Sequence, residues 1–330
     1  MSEILARVFR NERIESVHRG HLAVVNTAGK LIASAGDPAA RTYIRSAGKP
    51  FQVIPLLSDE VDRHFNLTDE EIAVIIASHN GEADHVQAVQ SIMRKVGLEE
   101  SHLHCAFHLP MHRPSAEAHL LQDLPKSPVY NNCSGKHSGM LARARFHNWP
   151  LENYLDPEHP VQREILSVVA QFSGLPVEDI GIGIDGCSAP VFYMPVRNMA
   201  LMYAKLANGA LAPTDRIFEM MTSHPAMIAG SARFDTDFMR VTCGRMVSKI
   251  GAEGVRCLAV KGKPSLGVAL KIEDGHKRAS EAILLEVLKQ LGLISRKELD
   301  QLLFYQRPVI SNHAGLETGC IAVDFKLRMS

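Results

Sequence analysis

A net charge of either sign is missing: 36 Lys and Arg balance 36 Asp and Glu, giving a formal charge of zero with histidine neutral. No local basic run compensates, so the chain has no field with which to attract nucleic acid or an anionic membrane. Long apolar runs are missing too. Nothing approaches the roughly 20 apolar residues of a membrane span, and the start, MSEILARVFRNERIE, carries charges where a signal peptide has its apolar core. These absences point to a cytoplasmic location and a small-molecule partner. Cysteine is sparse: Cys105, Cys133, Cys187, Cys243, Cys257 and Cys320 in 330 residues do not form a dense disulfide framework, which leaves free thiols or metal ligands. There is no internal repeat, no low-complexity tract and no linker long enough to separate independent domains, so residues 1–330 are expected to form a single unit.

What the chain does have is 46% hydrophobic residues, ample for a sizeable core. Near the start, HLAVVN (21–26), the turn-like TAGK and LIASA (31–35) read as a β-hairpin. From residue 49 to about 239 the pattern is mainly helical: Thr68-Asp69-Glu70-Glu71 is a capping box ahead of IAVIIA, and 82–96, 136–146, 160–172 and 215–221 keep helical spacing. Strands return in RCLAVK, LGVALKI and CIAVDF, with one helix around 280–291. The expected fold is an α/β (α+β) sandwich. Its mostly antiparallel sheet layer comes from both chain ends, about 1–48 and 240–330, and its helical layer from 49–239.

Five segments could carry chemistry. In Arg45-Ser46-Ala47-Gly48-Lys49-Pro50, a serine at a helix start and a lysine three residues on lie on one face, so a neutral amine could take the hydroxyl proton. Arg45 supplies a neighbouring cation, and free helix N–H groups near Ser46 could stabilise an oxyanion. A chain of this size yields about one Ser-x-x-Lys by chance. Ser78-His79-Asn80 after a helix, and Lys261-Gly262 after a strand, add the further elements with which penicillin-recognising enzymes and serine glutaminases assemble their sites, although Lys-Gly-Lys is an imperfect third element. Asn-Gly at 80–81 also suits an ordinary helix C-terminal turn. In NNCSGKHSG (131–139), Cys133 and Lys136 share a helical face, and Asp185-Gly186-Cys187-Ser188 follows the apolar GIGI. Two thiols and a nearby histidine suggest zinc, without the C-x-x-C spacing of a structural site; two buried core cysteines are the plainer alternative. The histidines His102, His104, His108, His112 and His119 lack the helical spacing of a metalloenzyme pair and read as a polar, partly exposed loop.

Taken together, RSAGKPFQ, ASHNGE, NNCSGKHSGML, GIDGCSAP and the Lys261 strand resemble the bacterial L-asparaginase II family of the Rhizobium etli type, over nearly the whole chain. The resemblance implies a fold similar to serine β-lactamases and glutaminases. It also implies two Ser-Lys pairs, Ser46 with Lys49 and Ser78 with Lys261, and a zinc ion held by Cys133, Lys136 and Cys187 that supports substrate binding. Asp185, Arg45, His137 and Asn80 match polar positions lining the pocket, Asp185 being suited to the substrate ammonium group. The implied activity is hydrolysis of L-asparagine to L-aspartate and ammonia through a serine acyl-enzyme, in a homodimer. The alternatives are a glutaminase or β-lactam-type amide hydrolase on the same scaffold, or a non-catalytic zinc or amino-acid binding protein.

Overall fold

The computed structural model describes residues 1–210 and 212–330. Local sequence rules set its helices. Thr68 caps α2 (Asp69–Ile76): its side chain accepts from Glu71 N–H at 3.3 Å while the Glu71 carboxylate accepts from Thr68 N–H at 2.7 Å, closing the expected capping box. Before it runs the short α1 (Lys49–Gln52), whose Pro50 in the first turn gives up no helical hydrogen bond. After it come α3 (Ala83–Val96), stopped by Gly97 at φ +72°, then α4 (Ser134–Phe146) and α5 (Pro160–Ser173). These helices belong to a compact unit formed by Gly48–Tyr193 and Gly209–Arg240.

Within this unit, α2 and α4 cross at backbone contact. A Cβ on Gly135 would lie 2.0 Å from Val74 O, and one on Gly139 would lie 2.6 Å from the Ile75 side chain. Only a helix face bare of side chains approaches another backbone so closely. The crossing sets the first turn of α4 beside the C-terminal end of α2, and this places the polar residues described below. The unit also holds a hairpin in which Gly181–Ile184 runs against residues 190–193, pairing Gly181 with Tyr193 and Ile184 with Pro190.

The second unit comprises Met1–Ala47, Met194–Asn208 and Val241–Ser330. It is built on an antiparallel sheet of β1 (Glu3–Arg10), β2 (Arg13–Asn26), β3 (Leu31–Ala35), β4 (Met246–Ile250), β5 (Val255–Val260), β6 (Leu266–Ile272), β7 (Val309–Ser311), β8 (Glu317–Val323) and β9 (Arg328–Met329). The order is β7-β8-β1-β2-β6-β5-β4, with β3 also on β2 and β9 on β3. Both chain ends thus supply the sheet, as the strand pattern implied. β2 is its spine: Gly20 pairs with Glu3 on one edge and with Ile272 on the other.

Leu22, Ala23, Val24 and Val25 are all buried, so the usual in/out alternation is lost and both faces of the sheet must be covered. α6 (Val196–Ala207) covers one, where a Cβ on Gly267 would lie 1.8 Å from Ala200 O. α7 (Ser280–Gln290) covers the other. Arg256, which pairs with Leu270, reaches the Ser280 hydroxyl at 3.4 Å and Glu281 at 2.6 Å, and Leu270 is three residues from Gly267, hence on the opposite face. Among the described residues no helix is long and apolar enough to cross a membrane.

Candidate active site

The crossing of α2 and α4 brings three sequence motifs together. Lys49, 2% exposed, points Nζ at Ala77 O (2.6 Å), Ser78 Oγ (3.1 Å) and Asn132 O (3.2 Å). The lysine of the Ser-x-x-Lys element therefore touches the serine of the second element. An ammonium would satisfy its three protons on these acceptors. A neutral amine would keep two N–H bonds to the carbonyls and accept the Ser78 hydroxyl proton on its lone pair.

The loop after α2 is held from several directions. Ser78 N–H donates to Ile228 O at 3.0 Å. The buried His79 has a fixed tautomer: Nδ1 accepts from Gly81 N–H, and Ser134 Oγ, whose proton goes to Val129 O, leaves His79 Nε2 as the donor at 3.0 Å. Asn80, 3% exposed, donates through Nδ2 to Glu82 (3.0 Å) and Ser231 O (3.1 Å), and its Oδ1 accepts from Arg233 at 2.6 Å. Gly230 fits beside it at φ +117°, where a Cβ would lie 2.4 Å from Asn80 Nδ2.

A second cluster occupies the next turn of α4. Lys136 Nζ donates to Cys187 Sγ at 3.0 Å, and Cys187 stands in the tight turn of the hairpin, where Asp185 N–H bonds Ala189 O and Asp185 Oδ1 accepts from Gly186 N–H. Cys133 and Cys187 share a hydrogen bond, which together with Lys49 and Lys136 holds the Cys133 thiol well below its ordinary range and leaves the proton on Cys187. Burial works against the Lys136 ammonium, but the adjacent Cys187 and Cys133 sulfurs outweigh it and raise its pKa. Burial pushes His137 down to about 4. Its Nδ1 meets Tyr154 Oη at 2.7 Å and its Nε2 is buried without a nitrogen or oxygen partner.

Two soft sulfurs and an amine in mutual contact, with an imidazole nitrogen beside them, form a donor set that fits zinc. Among the described residues no group of three His, Cys, Asp or Glu side chains forms a metal cluster, so a site here would depend on the lysine.

In the sheet unit, Ser46 is half-buried in a 3-10 turn, Arg45–Gly48, that leads into α1, and Arg45 has φ +52°. Lys261 directly follows β5, is exposed, and donates its backbone N–H to Arg245 O at 2.9 Å. Other residues position the site through contacts that no local spacing shows. Arg233 anchors Asn80. His108 Nε2 accepts from Asn132 N–H at 2.9 Å, and Asn131 ties Cys133 N–H to Cys105 O. The histidine-rich segment is only partly a polar loop: Arg113–Leu121 is helical, and His119 is buried against Tyr130 and Phe107.

No curated protein matches the chain. Among solved structures, Mglu in its native form is similar at 16% identity and a TM-score of 0.39, over 85% of this chain and 67% of that one. A Bacillus glutaminase is similar at 13% identity and a TM-score of 0.36, over 83% and 91%. At these values the likeness bears on neither substrate nor mechanism. The family comparison is decisive: the L-asparaginase II model matches residues 6–323, and the chain belongs to that family of amidohydrolases.

Proposed function

We propose that this amidohydrolase is an L-asparaginase, releasing ammonia and L-aspartate from L-asparagine. The observation that carries the reading is the buried contact of Lys49 Nζ with Ser78 Oγ at 3.1 Å, a lysine base and a serine hydroxyl held together by backbone carbonyls in a chain of the L-asparaginase II family. Ser46, three residues before Lys49, attacks the side-chain amide carbon as its proton passes to the Lys49 amine. Ser78, hydrogen-bonded to that amine, relays the proton to the departing ammonia, with Lys261 as its second partner. Water then attacks the acyl-enzyme by the reverse relay and frees aspartate.

Selectivity for an amino acid over a simple amide rests on Asp185 for the substrate ammonium group, with Arg45 and His137 as further polar contacts. Asn80 supports the loop that presents Ser78, its own amide being taken up by Glu82, Ser231 and Arg233. Zinc held by Cys133, Lys136 and Cys187 would supply positive charge that helps bind and orient the amino-acid end. The same reading includes a cytoplasmic homodimer, which sedimentation of the purified protein tests.

The direct test is ammonia release from asparagine, glutamine and a chromogenic β-lactam by the wild-type protein and by Ser46→Ala. Turnover of asparagine well above the other two, abolished in Ser46→Ala, is expected. Full activity in Ser46→Ala removes the nucleophile assignment, and glutamine turnover equal to that of asparagine removes the substrate assignment.

A further inference from the structure

The 3-10 turn that carries Ser46 is strained at its first residue. Arg45 has φ +52°, in the left-handed region that disfavours a residue with a Cβ. Such a conformation persists only where its surroundings over-determine it. Two neighbours within the sheet unit do so. Tyr203, on α6, donates its hydroxyl proton to Ala47 O at 2.8 Å, and both residues are completely buried. Ala47 N–H is turned back onto Ile44 O at 3.3 Å, so both polar groups of the residue after Ser46 are held. Gly251, just past β4, is the second neighbour: a Cβ there would lie 3.0 Å from Ile44 O and 3.3 Å from the Arg45 Cβ, tight enough to press on the turn by a few tenths of an ångström.

We propose that Tyr203 is a positioning residue for Ser46, fixing the Ala47 carbonyl so that the strained turn keeps the serine hydroxyl in its reactive direction. The proposal rests on the reading of Ser46 as the nucleophile. Tyr203 is itself sealed from solvent, so its action on the chemistry is through Ser46. Without its hydroxyl, the Ala47 carbonyl is a buried acceptor lacking a donor, and rotation of that peptide relieves both this deficit and the Arg45 strain. Ser46 moves with the peptide, while Asp185 and the Cys133–Lys136–Cys187 cluster, on the other unit, keep their own supports. The loss should therefore fall on the chemical step and spare substrate binding.

Tyr203→Phe keeps the ring and removes only the hydroxyl, and Gly251→Ala crowds the same turn independently. Each is compared with wild type and Ser46→Ala for kcat and KM on asparagine, aspartate Kd by calorimetry, and thermal midpoint. The expected result is a kcat about 10- to 100-fold lower in both variants, the scale of a displaced reacting group, with KM and aspartate Kd within about threefold of wild type. A kcat within about twofold of wild type in Tyr203→Phe overturns the proposal, as does a parallel loss of kcat and aspartate affinity. If Tyr203→Phe does not fold, Gly251→Ala decides by the same criteria. If Ser46→Ala still turns over asparagine, the nucleophile reading itself has failed. If Ser46→Ala is inactive and Tyr203→Phe is not impaired, only the positioning role has.

Discussion

Lys49 Nζ stands 3.1 Å from Ser78 Oγ, 2.6 Å from Ala77 O and 3.2 Å from Asn132 O. Those carbonyls come from the end of α2 and the approach to α4, so the helix crossing itself places the lysine. The arrangement serves both protonation states of the amine without moving an atom, as a proton relay requires.

Ser78→Ala keeps Lys49 on its two carbonyls and removes the relay. On the proposed mechanism kcat falls by about 10²- to 10⁴-fold, the usual contribution of a positioned acid-base group, with a small change in KM. Steady-state kinetics on asparagine checks this. An unchanged kcat shows that Ser78 takes no part.

The glycine-mediated crossing makes a stability prediction. Gly135→Ala drives a methyl group to 2.0 Å from Val74 O, and backbone on both sides cannot yield cheaply. The expected loss is about 3 kcal/mol or more, or failure to fold. Gly97→Ala meets nothing within 4 Å and carries only the strain of φ +72°, so it should lose about 1 kcal/mol. Thermal or urea unfolding of the two variants measures the contrast.

Much of this framework was legible in the sequence, and the parts that were not share a physical cause. The capping box at Thr68, the hairpin at 21–35 and the strands at both ends follow from local patterning, and each appears in the fold. The partners of Lys49 lie 28 to 83 residues away along the chain, and no periodicity encodes such a contact. Gly135 and Gly139 form the contact face of the first turns of α4, a role no local pattern shows because glycine carries no mark of which backbone it will meet. α6 reads as one more helix of the middle segment, yet it covers the sheet, a role written only in the small residue Gly267 opposite Ala200. Asn80 lies two residues after Ser78 in sequence, but its amide is engaged by Glu82, Ser231 and Arg233, the last two about 150 residues on.

Stability should fall in mild acid because of His85. Burial lowers its pKa below 6.5, outweighing Ala226 O and Glu82, which favour the charged ring. Its Nδ1 accepts from Glu82 N–H at 3.2 Å and its Nε2–H donates to Ala226 O at 2.9 Å, so a second proton would face the Glu82 amide. The unfolded chain takes up that proton near pH 6.5 and the folded chain only at lower pH. The histidine therefore costs nothing above pH 6.5, then about 1.4 kcal/mol per pH unit from there down to its folded pKa. His85→Gln should flatten this part of the stability profile. An identical acid slope in wild type and variant contradicts the assignment.

Zinc binding should be linked to protons. Lys136 can coordinate only as the neutral amine and the sulfurs only as thiolates, so affinity falls as pH falls and binding releases protons. Calorimetric titration of the metal-free protein in buffers of different ionisation enthalpy measures the release. Lys136→Arg, which keeps the charge but offers no lone pair, should bind zinc much more weakly than wild type. Equal affinity in the two proteins excludes the lysine as a ligand.

In the proposed mechanism every proton transfer in the hydrolysis of asparagine passes through Lys49 as the base. Replacing it with methionine, which fills a similar buried volume but accepts no proton, and measuring ammonia release from asparagine across pH tests this. The expected kcat is lower by about 10³-fold or more at every pH, with the protein still folded. A Lys49→Met protein that retains more than about a tenth of wild-type kcat contradicts it.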